Sequence, residues 1–393
     1  MLRIGVVGCG LRVSSFITNS LKEIQPDVRI VAVIDPDEAG ACSRLPECDK
    51  NEAKFYSDFD ELAKNSDIDA LFIGTRCDLH TPYAIKAAKY NIPIFLEKPV
   101  ATSMSQALEL ERAFEKTASK VVVSFPLRVS PLCEMMHQCV KKNYIGHPEH
   151  ICAVNYVPYG TVYWDCAGYR NYDVTQGLFL QKATHDFDYM MYIMGSSIVR
   201  VGAMWNQGRI FGGKKASGLV CSKCDEADTC LESPQNRKRN SSGGTTDDHV
   251  CVFNVDCGSP VTGMNEDSSS AIIEFASGAH GVYTQVFFSR RDAAMRGATI
   301  SGYDGTLKFD WYKNEAQFIR HHQPFSDTIH ADSGVAHFGG DHELARNFIA
   351  VINGKEQSKS TIMQGIQSVY ACLAAKESAQ TGAFVKVRQV GAF

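Results

Sequence analysis

The sequence predicts an α/β domain with a parallel, doubly wound sheet, followed by an α+β domain with a large, mostly antiparallel sheet open on one face. Three observations carry this. Leu2–Val7 is a short apolar, β-branched run that reads as a buried strand, and Gly8-Cys9-Gly10 breaks it at once. Strand-like and helix-like patterns then alternate to about residue 126, as a parallel sheet covered by helices requires. From residue 127 onward, short strand-like runs are bounded by Gly and Ser turns, which points to antiparallel pairing.

Taken in order, the helix after the glycine turn shows apolar spacing at Phe16, Ile17, Leu21 and Ile24. Gly8 permits a tight turn, Gly10 lets backbone approach a pyrophosphate, and the helix start offers unpaired N–H groups to the anion. Val13 stands where the full pattern has a third Gly or Ala. Arg29–Ile34 is the next buried strand, closed by Asp35. A carboxylate there accepts hydrogen bonds from ribose hydroxyls and repels a 2′-phosphate, so it favours NAD over NADP; the plainer reading is that Asp35-Pro36-Asp37 starts a turn. Asp69–Gly74, Pro93–Leu96 and Val121–Phe125 complete the strands, with helices over Asp58–Lys64, Pro82–Tyr90 and Ser103–Lys116. Gly8, Asp35, Thr75 and Lys98 all fall at strand carboxyl ends, where such sheets bind ligands. Lys98 lies between Glu97 and Pro99; the proline restricts its backbone and aims its side chain, against the alternative of a surface Glu97–Lys98 pair.

In the second domain, expected over 127–393, Pro131–Lys142 reads as a helix and His150–Tyr156 begins a strand-rich region continued by Ala271–Phe275, Gly281–Phe287, Ala298–Ser301 and Gly305–Phe309. Glu343–Val351 and Thr361–Ser378 read as helices, and Phe384–Val387 as a last strand. Gly177–Gly195 carries the most chemistry. A helix there sets Lys182, His185 and Asp188 three apart on one face, and a carboxylate one turn away makes a histidine a suitable general base. The plainer alternative is a core histidine and a surface lysine.

An insertion at about 212–250 contains Cys221-x2-Cys224-x5-Cys230. That is metal-ligand spacing, with His249, Cys251, Cys257 or Cys166 as a fourth ligand; a structural zinc or iron–sulfur cluster stands beside a set of free thiols. The stretch Glu232–Asp248 reads as a mobile loop, its Arg237-Lys238-Arg239 run solvated. Asp327–Asp341 gathers His330, Asp332, His337 and Asp341 in a turn-rich loop that either contacts sugar hydroxyls or caps a helix through Asp341.

The 393 residues suffice for two cores, and 44% apolar with 21% charged side chains is a globular composition. A formal charge of −4 gives no sign of nucleic acid or a membrane surface as partner, and no apolar run reaches spanning length. The N-terminus enters a strand directly and the 14 cysteines read as reduced thiols, so a cytoplasmic protein is expected.

Gly8-Cys9-Gly10, Thr75 with His80 five residues on, Glu97-Lys98-Pro99 and Arg128 resemble the glucose-fructose oxidoreductase/inositol dehydrogenase (Gfo/Idh/MocA) family, and the match covers most of the chain. The resemblance implies a Rossmann domain over 1–126 holding a nicotinamide cofactor through Gly8, Cys9, Gly10, Leu11, Arg12, Asp35, Thr75, Arg76, His80, Glu97 and Lys98. It implies that Lys98 lies between nicotinamide and substrate, and that the second sheet carries substrate contacts and the interface of a homo-oligomer. Substrate contacts are expected from Lys98, Arg128, Tyr156, Lys182, His185 and Asp188. Three features depart from the family: Arg76-Cys77 replaces its Pro-Asn, Val13 its third glycine, and Gln181 the aspartate four residues before His185. The expected function is NAD-dependent oxidation of a secondary hydroxyl of a sugar, glycoside or cyclitol, with Lys98, His185 and Lys182 catalytic. A glycosidase or lyase using transient oxidation, and a non-catalytic NAD or sugar sensor, are the alternatives.

Overall fold

The computed structural model describes residues 1–259, 263–331 and 336–391. It separates into two units. The first comprises Met1–Cys133, a later stretch ending at Tyr370, and the last residues from Val390. The second comprises Glu134 to Asp332 and Ala371–Gln389.

Six strands build the first unit: β1 (Leu2–Val7), β2 (Val28–Ile34), β3 (Lys54–Phe55), β4 (Ala70–Ile73), β5 (Ile94–Leu96) and β6 (Val121–Val123). They pair in parallel in the order β3-β2-β1-β4-β5-β6. Buried on both faces, β4, β5 and β6 read as continuous apolar runs rather than alternating ones. The order reverses between β1 and β4, so the glycine turn after β1 and the loop after β4 open side by side. The first helical run covers Leu11–Ile24 with a π-turn over Ile17–Leu21. Its Phe16 stands 4.5 Å from Phe95, and Phe72 4.9 Å from Phe95. Phe348 meets Phe72 and Phe95 edge-on from helix Gly340–Ile352, whose Leu344, Phe348 and Val351 repeat at helical spacing. Truncating Phe348 to alanine would cost about 3–5 kcal/mol.

The second unit holds β7 (Pro148–Tyr156), β8 (Ile198–Gln207), the short pair β9 (Gly258–Ser259) and β10 (Gly263–Met264), then β11 (Glu266–Phe275), β12 (His280–Val286), β13 (Met295–Gly302), β14 (Gly305–Asp310), β15 (Glu315–Arg320), β16 (Ser326–His330) and β17 (Val385–Lys386). Nine form one sheet in the order β16-β15-β14-β13-β7-β12-β11-β8-β17, antiparallel except for β7 beside β12. Strand alternation leaves one face open: on β11, Ala271 and Ile273 are buried while Ser270 and Ile272 are exposed. The covered face receives helix Ala183–Met194, whose Asp186 takes both prongs of Arg296 from β13 and hydrogen bonds from Asn155 of β7 and Tyr283 of β12.

The insertion differs from its expected loop. Pro234–Asn240 is a helix, and within the basic run only Lys238 and Arg239 are exposed. Arg237 is 1% exposed, with its guanidinium 2.7 Å from Asp165 and 3.1 Å from Glu232, and it donates to the Thr245 carbonyl. A helix turns successive side chains about 100° apart, so three consecutive basic residues cannot share one solvent face. Among the described residues, no helix is long and apolar enough to cross a membrane.

Candidate active site

In the first unit the glycine turn is shaped from both sides. Gly8 has φ +82, and a Cβ there would lie 2.6 Å from the Thr75 nitrogen, so only glycine fits. Gly10 caps the first helical run without a side chain, and a Cβ built on it meets no atom within 4 Å. That open space above helix-start N–H groups fits the pyrophosphate of a dinucleotide. Val13, in place of the third glycine, is accommodated by its neighbour: a Cβ on Gly74 would lie 2.0 Å from Val13 Cγ2. The close approach is kept, with the small residue on the other partner. Leu11 is 79% exposed on the same turn, while the Cys9 side chain is fully buried and burial pushes its thiol up to about 11.

Asp35 accepts from the Cys9 N–H at 2.8 Å and from the Asp37 N–H at 2.9 Å, which draws its carboxylate against the turn. Arg44 donates to the Cys9 carbonyl at 2.8 Å from the opposite side. Arg12 is turned to protein partners: Glu97 at 3.1 Å, Ser124 at 3.3 Å and both oxygens of Asp341 at 2.8 Å. Asp341 is 1% exposed; burial alone would raise its carboxyl, but hydrogen bonds from His337 and Arg12 hold it well below the usual range. It does not cap its helix, because Gly339 occupies that position. His330 ends β16, and Asp332 lies outside the described residues.

His80 is 2% exposed, its ring nitrogens 2.7 Å from the Pro99 carbonyl and 3.1 Å from the Thr75 carbonyl. Burial holds its pKa below the ordinary value, so the neutral ring donates to one of these carbonyls and lies against the other, packing between the loop after β4 and the turn after β5. Thr75 and Arg76 open that loop, Arg76 exposed before a short 3-10 turn. Glu97 is buried beside Arg12, and Lys98 is half-buried in the turn beyond β5, close enough for its charge to act on the half-buried Cys77 thiol. Arg128 is 3% exposed in the turns after β6.

In the second unit the reactive segment is broken. Leu178–Gln181 and Ala183–Met194 are separate helices, and Lys182 stands between them with φ −115. Lys182 and His185 are each 6% exposed and Asp188 is fully buried. Lys182 Nζ donates to the Tyr159 hydroxyl at 3.1 Å and stands 5.2 Å and 6.0 Å from the ring centres of Tyr159 and Tyr163. Pleating places Tyr156 on the half-exposed face of β7, opposite to Asn155, which reaches the Asp186 of this helix. Sequence reasoning missed Asp186 and Arg296 altogether: their partners lie 110 residues apart, and no local pattern pairs them.

The metal expectation is not supported. Cys221 and His249 adjoin the antiparallel bridge between Val220 and Val250, with the sulfur 3.7 Å from Nδ1. Yet among the described residues no three His, Cys, Asp or Glu side chains are grouped to hold an ion. Burial first, then the neighbouring thiols, pushes Cys221 up to about 12. Arg237 and the Asn236 amide, which donates to the carbonyls of Asp228 and Cys230, tie the insertion together instead.

Comparison with known proteins decides the family. Residues 2–125 match the model of the oxidoreductase family with an NAD-binding Rossmann fold, and residues 133–308 match that of the GFO/IDH/MocA C-terminal domain. The chain is a Gfo/Idh/MocA oxidoreductase. This oxidoreductase is 24% identical over 342 residues to the oxidoreductase YteT of Bacillus subtilis (strain 168), covering 77% of this chain and 76% of the relative. It is 28% identical over 209 residues to the myo-inositol 2-dehydrogenase of Thermotoga maritima, spanning 51% of this chain and 58% of that enzyme. A 2,7-anhydro-N-acetylneuraminate hydratase of Mediterraneibacter gnavus is 33% identical over 92 residues, 23% of each chain. In fold it resembles a levoglucosan dehydrogenase solved with NADH and levoglucosan, with TM-score 0.76 and 17% identity over 99% of this chain and 100% of that one.

Proposed function

We propose that this oxidoreductase moves a hydride from a secondary hydroxyl of a sugar, glycoside or cyclitol to NAD. The observation that carries the reading is the glycine turn, left open only at Gly10, beside a β5 turn that ends in Glu97-Lys98-Pro99. Bound NAD supplies the hydride acceptor. Asp35 receives the ribose hydroxyls and disfavours a 2′-phosphate. Lys98 hydrogen-bonds the reacting oxygen and stabilises its growing negative charge. A base on the Lys182–His185 segment takes the hydroxyl proton, with His185 the acceptor the family resemblance suggests and Lys182 sharing the transfer. The inositol dehydrogenase relatives and the levoglucosan-bound neighbour support a polyhydroxylated substrate.

The test is NADH absorbance on mixing the protein with NAD and a panel of sugars, glycosides and cyclitols. NADH in step with oxidised product supports the reading. The hydratase relative motivates a second one, in which the hydride returns and product forms with no net NADH. Family resemblance and the open sheet face also support a homo-oligomer, which light scattering on eluting protein would measure.

A further inference from the structure

Lys182 is nearly buried at the break between its two helices, whereas Tyr159, whose hydroxyl it meets at 3.1 Å, is 39% exposed. The pair therefore sets a nearly buried cation against the hydroxyl of a tyrosine whose side chain is partly open to solvent. Tyr163 lies under the same lysine but is 4% exposed and receives only a ring contact. Resting on the dehydrogenase reading, we propose that Tyr159 is the proton-transferring residue of the substrate site and Lys182 its positioning residue.

The step balances. As phenolate, Tyr159 takes the proton of the substrate hydroxyl, the carbon–hydrogen bond breaks with its electron pair passing to the nicotinamide of NAD as hydride, and a carbonyl forms. The phenol then returns its proton to water. Tyr159 thus replaces His185 as the proton acceptor: His185 orients the hydroxyl instead of taking its proton, and Lys182 acts through its contact with the phenol rather than by sharing the transfer.

The surroundings favour this phenol over its neighbours. Lys182 pulls the Tyr159 hydroxyl down to about 8, overcoming burial, and Arg296 helps from β13. Tyr163, from helix Val162–Asp165, is pushed well up by burial and by Tyr159. Tyr312, beyond β14, is also raised, chiefly by burial, and hydrogen-bonds Tyr159. Arg296 is paired with Asp186 through both prongs, and Lys182 is the cation that contacts the phenol directly and acts on it most strongly. A phenol that ionises near the working pH is an efficient acid–base group.

Two measurements on the full chain test this. Tyrosinate absorbance on titration should show one tyrosine ionising near pH 8. That step should vanish in Tyr159→Phe, move alkaline in Lys182→Met, and stay in place in Lys182→Arg, with thermal melts confirming that each variant is folded. With a responding alcohol and NAD, kcat/KM should rise with pH through the same value. Tyr159→Phe should lose this limb and on the order of a hundredfold in kcat, with NAD affinity unchanged. Retention of the limb in Tyr159→Phe with its loss in His185→Ala would give the proton to the histidine and overturn the proposal, as would the absence of any early-ionising tyrosine. If the tyrosine step is present but no alcohol reduces NAD, the dehydrogenase reading falls while the poised pair stands.

Discussion

The guanidinium of Arg12, two residues past the glycine turn, holds both carboxylate oxygens of Asp341 at 2.8 Å, across 329 residues of sequence. Glu97 takes its Nε at 3.1 Å, so one arginine joins the first helix, the β5 turn that presents Lys98, and helix Gly340–Ile352. Arg12 is thus part of the frame of the site. Arg12→Met should destabilise the protein by about 3 kcal/mol, because Asp341 is then buried without its partner. The double variant Arg12→Met/Asp341→Leu should recover most of that loss in denaturant melts. An unchanged melt in Arg12→Met would remove the framing role.

Cofactor choice turns on Asp35. NAD should bind more tightly than NADP, because a carboxylate beside a 2′-phosphate is a like-charge contact. Asp35→Ser should narrow the gap, although it also removes the acceptor of the Cys9 N–H. Equal or tighter NADP binding to the unaltered protein, by calorimetric titration, would refute the assignment.

Loss of the reacting-oxygen contact should be expensive. Lys98→Ala and His185→Ala should each lower turnover roughly a hundredfold or more while leaving NAD affinity largely intact. Lys182→Ala should cost nearly as much if it acts in the proton transfer, and the Lys182→Ala/Tyr159→Phe double variant little more than either alone. Full activity in Lys182→Ala would make the lysine a bystander.

Glu266 gives the second unit a pH-dependent stability. It is fully buried and accepts from the Leu178 N–H at the start of the reactive segment. Burial pushes its carboxyl up to about 7, against the pull of Leu178 and Lys376. A folded pKa above the unfolded one means the protonated form favours folding. That contribution is complete below about pH 4 and is lost as pH rises through about 7. Glu266→Gln should therefore gain on the unaltered protein as pH goes from 5 to 8, by up to roughly 3 kcal/mol. A difference that does not change with pH would show that Glu266 does not titrate in this range.

The sequence by itself determined the parallel sheet, since doubly buried strands must be continuous apolar runs and each ends in a residue usable by a ligand. The glycine turn, the Glu97-Lys98-Pro99 turn and the family were legible for the same reason: each is a local pattern. Tertiary structure decided what no local pattern encodes. It compensated Val13 through Gly74, gave Arg12 to Asp341, and buried Arg237 out of an apparently solvated run. It also broke the helix at Lys182, so that a spacing rule for one continuous helix no longer placed that side chain, and turned the ammonium toward Tyr159. Charges and phenols find their partners across the sheet and the chain, where desolvation makes the match strong and sequence distance carries no information about it.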